Sequence, residues 1–125
     1  MTEVNGHEWV STALRADCDY RIYHCYDREA DYKGLERLLA DETPVIVAHP
    51  NALETNLNRL PPQTLVEINN RYVWRCDWRR FYGPFRDRFR FVIGSDAHQP
   101  NWLNQTVARY AAADLEIEET LVFKD

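Results

Sequence analysis

The chain of 125 residues is short of several things, and each shortage narrows its function. No apolar run approaches the ~18 residues that a bilayer-crossing helix takes, so no membrane span is expected. The first residues carry Glu3 and Glu8 and no apolar core, so no secretory signal is expected. Basic residues are outnumbered, with 15 Lys and Arg against 20 Asp and Glu, a net charge of −5. That balance argues against non-specific nucleic-acid binding, which needs a basic face, but it leaves room for a local cationic pocket. The three cysteines, Cys18, Cys25 and Cys76, are odd in number and show no C-x-x-C spacing. A reduced, cytoplasmic compartment is the simplest reading. Linkers, repeats and low-complexity tracts are missing. A 45% hydrophobic and 28% charged balance is that of one ordinary globular domain over residues 1–125.

What is present alternates. Residues 1–16 are ambiguous: Glu3 to Gly6 reads as a strand end and turn, and His7, Glu8 and Trp9 precede a candidate short helix. Tyr20 to Tyr23 predicts a strand ending on His24. Asp31 is placed to cap a helix over residues 32–40, with Leu35, Leu38 and Leu39 on one face and Pro44 as its stop. Val45 to Ala48 is a continuous apolar run, as a parallel strand covered on both faces would have, and it ends on His49-Pro50. Asn51 or Thr55 then opens a predicted helix carrying Leu53, Leu57 and Leu60. Thr64 to Ile68 predicts a strand that contains Glu67, whose buried carboxylate needs a partner; an arginine ion pair is the expected one. In residues 72–89 the positions Val73, Trp74, Asp77, Trp78 and Phe81 fit a helical stripe that Gly83-Pro84 breaks. Its mixture of arginine and aromatic rings stacks on nucleic acid in some proteins and in others is arginine stems over a packed face; the acidic total favours the second.

Phe91-Val92-Ile93 predicts a last buried strand, followed by Gly94, Ser95 and then Asp96 and His98. Extended pairing would put the carboxylate and the imidazole on the same side, and that donor pair suits a divalent transition metal. Asn101 or Asn104 is expected to cap a helix from Trp102 to Ala112, and Leu121 to Phe123 reads as a strand or an irregular tail. The β-α alternation predicts an α/β fold with parallel strands and helices outside, as a sheet or a barrel. Three of its strands end in His24, His49, or Asp96 with His98. Loops at the C-terminal ends of such strands open on one face, so ligands far apart in sequence can meet in one metal site suited to Zn, Mn or Fe. Taken singly, His24 reads more readily as a core or edge histidine bonded to a carbonyl.

The segments V-I-V-A-H-P (45–50), L-V-E-I-N-N (65–70) and F-V-I-G-S-D-A-H (91–98), in this order, resemble the polymerase and histidinol phosphatase (PHP) family. The resemblance covers residues 20–123 well and 1–16 loosely. It implies a distorted (βα)7 barrel with up to three divalent metals and hydrolysis of phosphoesters, on small monoesters or at nucleic-acid ends. Matched by position, Asp96 and His98 correspond to the family's last ligand pair, the expected catalytic residues. His49 corresponds to the ligand before proline, and His24 to the ligand of a strand reading S-x-H. Glu3 resembles the bridging carboxylate. His7 has no counterpart and reads as a local ligand or a surface histidine. Arg59, Asn69 and Arg71 are the expected contacts to a small phosphorylated substrate, the arginines being read equally as solvated surface.

The chain departs from the family in one respect. The family opens with H-x-H on its first strand, and this sequence has no H-x-H. It also offers about five strands, where barrels of this type run to roughly 200 residues or more. A partial barrel of that kind needs its open edge covered, by a second copy or a partner chain or by the N-terminal residues closing it in a new way. Two functions follow as expectations: a divalent-metal-dependent phosphoesterase, or a catalytically impaired metal- or phosphate-binding subunit of a larger assembly.

Overall fold

The structure, a computed structural model, describes residues 2–94 and 105–120. Its frame is five short strands: β1 Thr2–Val4, β2 Arg21–Tyr23, β3 Val45–Val47, β4 Leu65–Asn69 and β5 Arg90–Gly94. All pair parallel, in the spatial order β1-β2-β3-β4-β5. Parallel neighbours need a crossover between them, and crossovers are right-handed. When every step goes the same way along the sheet, the connecting segments fall on one face.

Packing bears this out. The helices are α1 Val10–Arg15, α2 Glu29–Leu39, α3 Trp78–Phe81 and α4 Thr106–Asp114. The main core joins Val4, Tyr23, Val45, Val47, Val66, Ile68 and Phe91 of the sheet to Val10, Leu35, Leu38, Ala108 and Ala111 of the helices. The intervening positions Ile46, Leu65 and Val92 point to the other face and make a second small cluster with Ile22 and Tyr20. This two-faced burial is why β3 reads V-I-V without alternation.

Several expected elements differ from those observed. Asp31 does not cap α2. The helix begins at Glu29 with Arg28 at the cap position, and Asp31 lies buried in its first turn, where a carboxylate suits the helix dipole. Gly34 allows α2 to press against β2, since a Cβ there would stand 2.8 Å from the Tyr23 hydroxyl. No helix runs through residues 51–60. Thr55 donates instead to the Cys25 carbonyl, and the Asn56 side chain accepts from the Asn58 N–H at 3.1 Å, leaving only a short 3-10 turn at Leu57–Arg59. Such local side-chain bonds compete with helix. Residues 72–89 form no single helix either. Asp77, predicted inside the stripe, is the N-cap of α3, with further 3-10 turns at Val73–Arg75 and Gly83–Phe85. The last helix starts at Thr106, and its free N–H groups at Val107 and Ala108 donate to the Asn70 side chain at 2.9 and 3.1 Å. Asn101, Asn104 and Leu121 to Phe123 lie outside the described residues.

Candidate metal centre at the C-terminal rim of the sheet

Because the sheet is all parallel, the ends of β2, β3, β4 and β5 share one rim. His24 follows β2 and His49 lies two residues past β3. Their rings meet edge to face with centroids 5.1 Å apart. The His24 backbone N–H donates to the Val4 carbonyl at 2.8 Å, which fixes the residue where β1 ends. Its ring Nδ1 is buried and has no hydrogen-bond partner among the described residues. Burial first, and then the neighbouring His49, hold the His24 pKa below its ordinary value, while Glu3 and Glu67 act in the opposite direction. The imidazole is therefore kept neutral, the form that ligates metals.

Glu67 supplies the carboxylate. It is 9% exposed, and its Oε1 accepts from the His49 backbone N–H at 2.8 Å and from the Asn69 side chain at 3.0 Å. A backbone N–H and a side-chain amide thus both donate to this carboxylate. Asn69, 1% exposed, also accepts from the Arg71 N–H at 2.9 Å, so its amide braces Glu67 at one end and the chain turn at the other. Gly94, the final described residue of β5, lies directly against this carboxylate. A Cβ there would collide with Glu67 Oε2 and stand 2.9 Å from its Cδ. Only glycine leaves room for Glu67 across the rim.

The other expected site residues fall as follows. Asp96 and His98 lie outside the described residues. Glu3 is exposed on β1, in register with Ile22, and its charge is felt at His24. Arg71 sits at the rim beyond β4 with its guanidinium 5.4 Å from the Tyr72 ring. Arg59 is ion-paired with Glu29 at 2.6 Å and lies over the Tyr32 ring at 4.2 Å. Glu67 was visible in the sequence only as an anomaly. The signal that could have promoted it is its position in a strand whose neighbours end in histidine and glycine. Cys25, beside His24, is buried, and burial and then Asp31 push its thiol up to about 12, which favours the protonated form.

His7 belongs to a different place. Its Nδ1 and its backbone N–H both meet Asp31 Oδ1, at 2.8 and 2.9 Å, and its Nε2 is 3.6 Å from Glu8. His7, Glu8 and Asp31 offer ligand atoms within 4.8 Å of one another. Arg28, however, already donates twice to Asp31, at 2.7 and 3.1 Å, and lies 3.5 Å from Glu8. Burial works to raise the Asp31 pKa, but the hydrogen bonds from Arg28 and His7 outweigh it and lower it. The carboxylates are thus neutralised by a guanidinium, and a cation entering there would have to displace it.

A hollow of about 600 Å³ lined by Arg86, Phe89, Arg90 and Glu116 lies at the opposite, N-terminal end of β5. No helix among the described residues is long and apolar enough to cross a membrane. No protein-family model matches this chain, and no curated protein or solved structure matches it.

Proposed function

We propose that the chain is a divalent-metal-dependent phosphoesterase of the PHP type, built on the later part of a distorted (βα) barrel. The observation that carries this reading is the His24–His49 pair, with a buried His24 Nδ1 that has no partner among the described residues, beside the Glu67 carboxylate at one strand rim. A buried polar atom without a partner costs free energy, and two imidazoles with a carboxylate fit Zn, Mn or Fe. His24, His49 and Glu67 would hold the metal, joined by Asp96 and His98 and with Glu3 nearest on β1. A metal bound there supplies a Lewis acid for the phosphate oxygen and lowers the pKa of bound water.

The chain's own residues do the rest. Asn69 fixes Glu67, and the His49 N–H holds the same oxygen, so the carboxylate cannot swing away. Burial keeps the His24 imidazole neutral and ready to coordinate. Arg71, at the rim, is the guanidinium suited to grip a phosphate by two parallel hydrogen bonds. Arg59 is ion-paired with Glu29.

The test joins elemental analysis of protein loaded with Zn or Mn to hydrolysis of p-nitrophenyl phosphate. Second-sphere changes at metal sites already cost 10–100-fold. Removing a ligand, as in His24→Ala, His49→Ala or Asp96→Ala, should therefore cost at least about 100-fold in rate and release the metal. A folded, metal-free protein would end the proposal. Metal bound firmly with no hydrolysis would favour the second reading, a binding subunit without turnover, which the missing H-x-H pair supports.

A further inference from the structure

Most arginines of the aromatic-rich stretch are fastened to the protein. Arg79 binds Asp114 at 2.6 Å, Arg86 binds Glu116 at 3.1 Å, and Arg88 donates to the Leu60 carbonyl at 2.8 Å. Arg75 is different. Among the described residues its guanidinium faces two rings, Tyr72 at 5.2 Å and Trp74 at 5.1 Å, and no carboxylate. The turn Val73–Arg75 explains the arrangement: fully buried Val73 anchors it, and Trp74 is turned outward, 58% exposed. Trp78, by contrast, is half-buried and donates to Asp114 at 2.9 Å.

This surface is continuous with the rim. The Tyr72 ring lies 4.7 Å from the His49 ring, tilted by 50°. Imidazole, phenol, guanidinium and indole are therefore linked by successive contacts. An exposed indole beside an uncommitted guanidinium offers a planar π-face and a positive charge, the pair on which nucleobases stack.

We propose that Tyr72, Trp74 and Arg75 form a stacking platform for a nucleobase whose phosphate enters the rim, so that the ligand is a nucleoside monophosphate. The proposal rests on the phosphoesterase reading of that rim. Three successive contacts, His49 to Tyr72, Tyr72 to Arg75 and Arg75 to Trp74, link the rim to the indole, and a base carried on a sugar phosphate has both the flat ring and the anion that such a chain of groups would bind. The net charge of −5 disfavours a long polyanion. The shared chemistry, base plus phosphate, comes from a free nucleotide or from the end of a single strand.

Calorimetry tests this, on the whole chain in chelator and again with Mn, using AMP, ribose 5-phosphate and a 5′-phosphorylated deoxyadenosine tetramer. AMP should bind about tenfold or more tighter than ribose 5-phosphate, the worth of one base stack. Trp74→Ala should bring AMP down to the ribose 5-phosphate level, Trp74→Phe should keep part of the preference, and Arg75→Ala should weaken it. Trp9→Ala, at an exposed tryptophan elsewhere, should change nothing. A tetramer bound tighter than AMP supports a strand end; equal binding supports the free nucleotide. Equal affinity for AMP and ribose 5-phosphate in the wild type, or a preference that survives Trp74→Ala, overturns the platform. Hydrolysis of ribose 5-phosphate with no base preference would sink the platform alone. A Trp74-dependent preference without any hydrolysis would support the platform and sink the phosphoesterase reading.

Discussion

Two histidine neighbourhoods lie on this fold and could hardly differ more. At His7, each polar group has found a protein partner: Asp31 receives His7 and Arg28, and Arg28 also reaches Glu8. At His24, the ring nitrogen Nδ1 is buried without one among the described residues, beside a second imidazole and a carboxylate. The first cluster has the ligand types and spacing of a metal site, yet a guanidinium already supplies its positive charge. In the second, the His24 Nδ1 has no hydrogen-bond partner among the described residues. Ligand-like residues within reach of one another are therefore weak grounds for a cation site, and what decides is whether the protein has already satisfied them.

The sharpest way to break this contrast is Asp31→Ala. It strips a buried carboxylate from an ion-pair hub and should cost about 3 kcal/mol of stability, in urea denaturation with chelator and with Zn alike. Loss of bound metal without loss of stability would move the metal centre to the His7 cluster and reverse the comparison. Next in size is Gly94→Ala. The added methyl must displace Glu67, and overpacking of this kind costs about 1–3 kcal/mol. Metal retention should weaken as the carboxylate leaves the rim; unchanged metal content would show that Glu67 is not a ligand.

The smallest effect separates the two neighbourhoods by pH, in metal-free protein. Asp31 has a folded pKa below its ordinary 3.8, so the stability it contributes is full above that value and lost as the pH falls below it. His24 also has a folded pKa below its ordinary 6.5, so the unfolded chain protonates first, and stability declines as the pH falls below 6.5. Asp31→Asn should flatten the acid limb alone, and His24→Leu the limb near neutrality alone. If His24→Leu leaves the neutral limb as steep as before, the imidazole is not held neutral by burial.

Much of the fold was legible because apolar runs bounded by proline and polar turns leave few alternatives. Val45 to Val47 and Phe91 to Ile93 are recognisable as buried parallel strands from composition alone. The helix expected over residues 51–60 was not legible as a loop, since Leu53, Leu57 and Leu60 have helical spacing. What defeats it is Thr55 bonding the Cys25 carbonyl, a contact 30 residues away in sequence. Asp31 and Asp77 exchange roles for a similar reason. Each is a competent cap, and the choice between capping and ion pairing depended on whether Arg28 and His7 stood nearby.

The order of residues by itself determined that short apolar strands would alternate with connecting segments and that His24 and His49 would close two of those strands. Parallel pairing then had to bring such endings to one side, because a strand's direction is carried by its sequence. Only the tertiary structure decided that the two rings touch, that Gly94 makes room for Glu67, and that His7 is consumed by Asp31. Those outcomes depend on distances between segments that share no local signal. A side chain's remaining bonding capacity is known only after its neighbours have taken theirs.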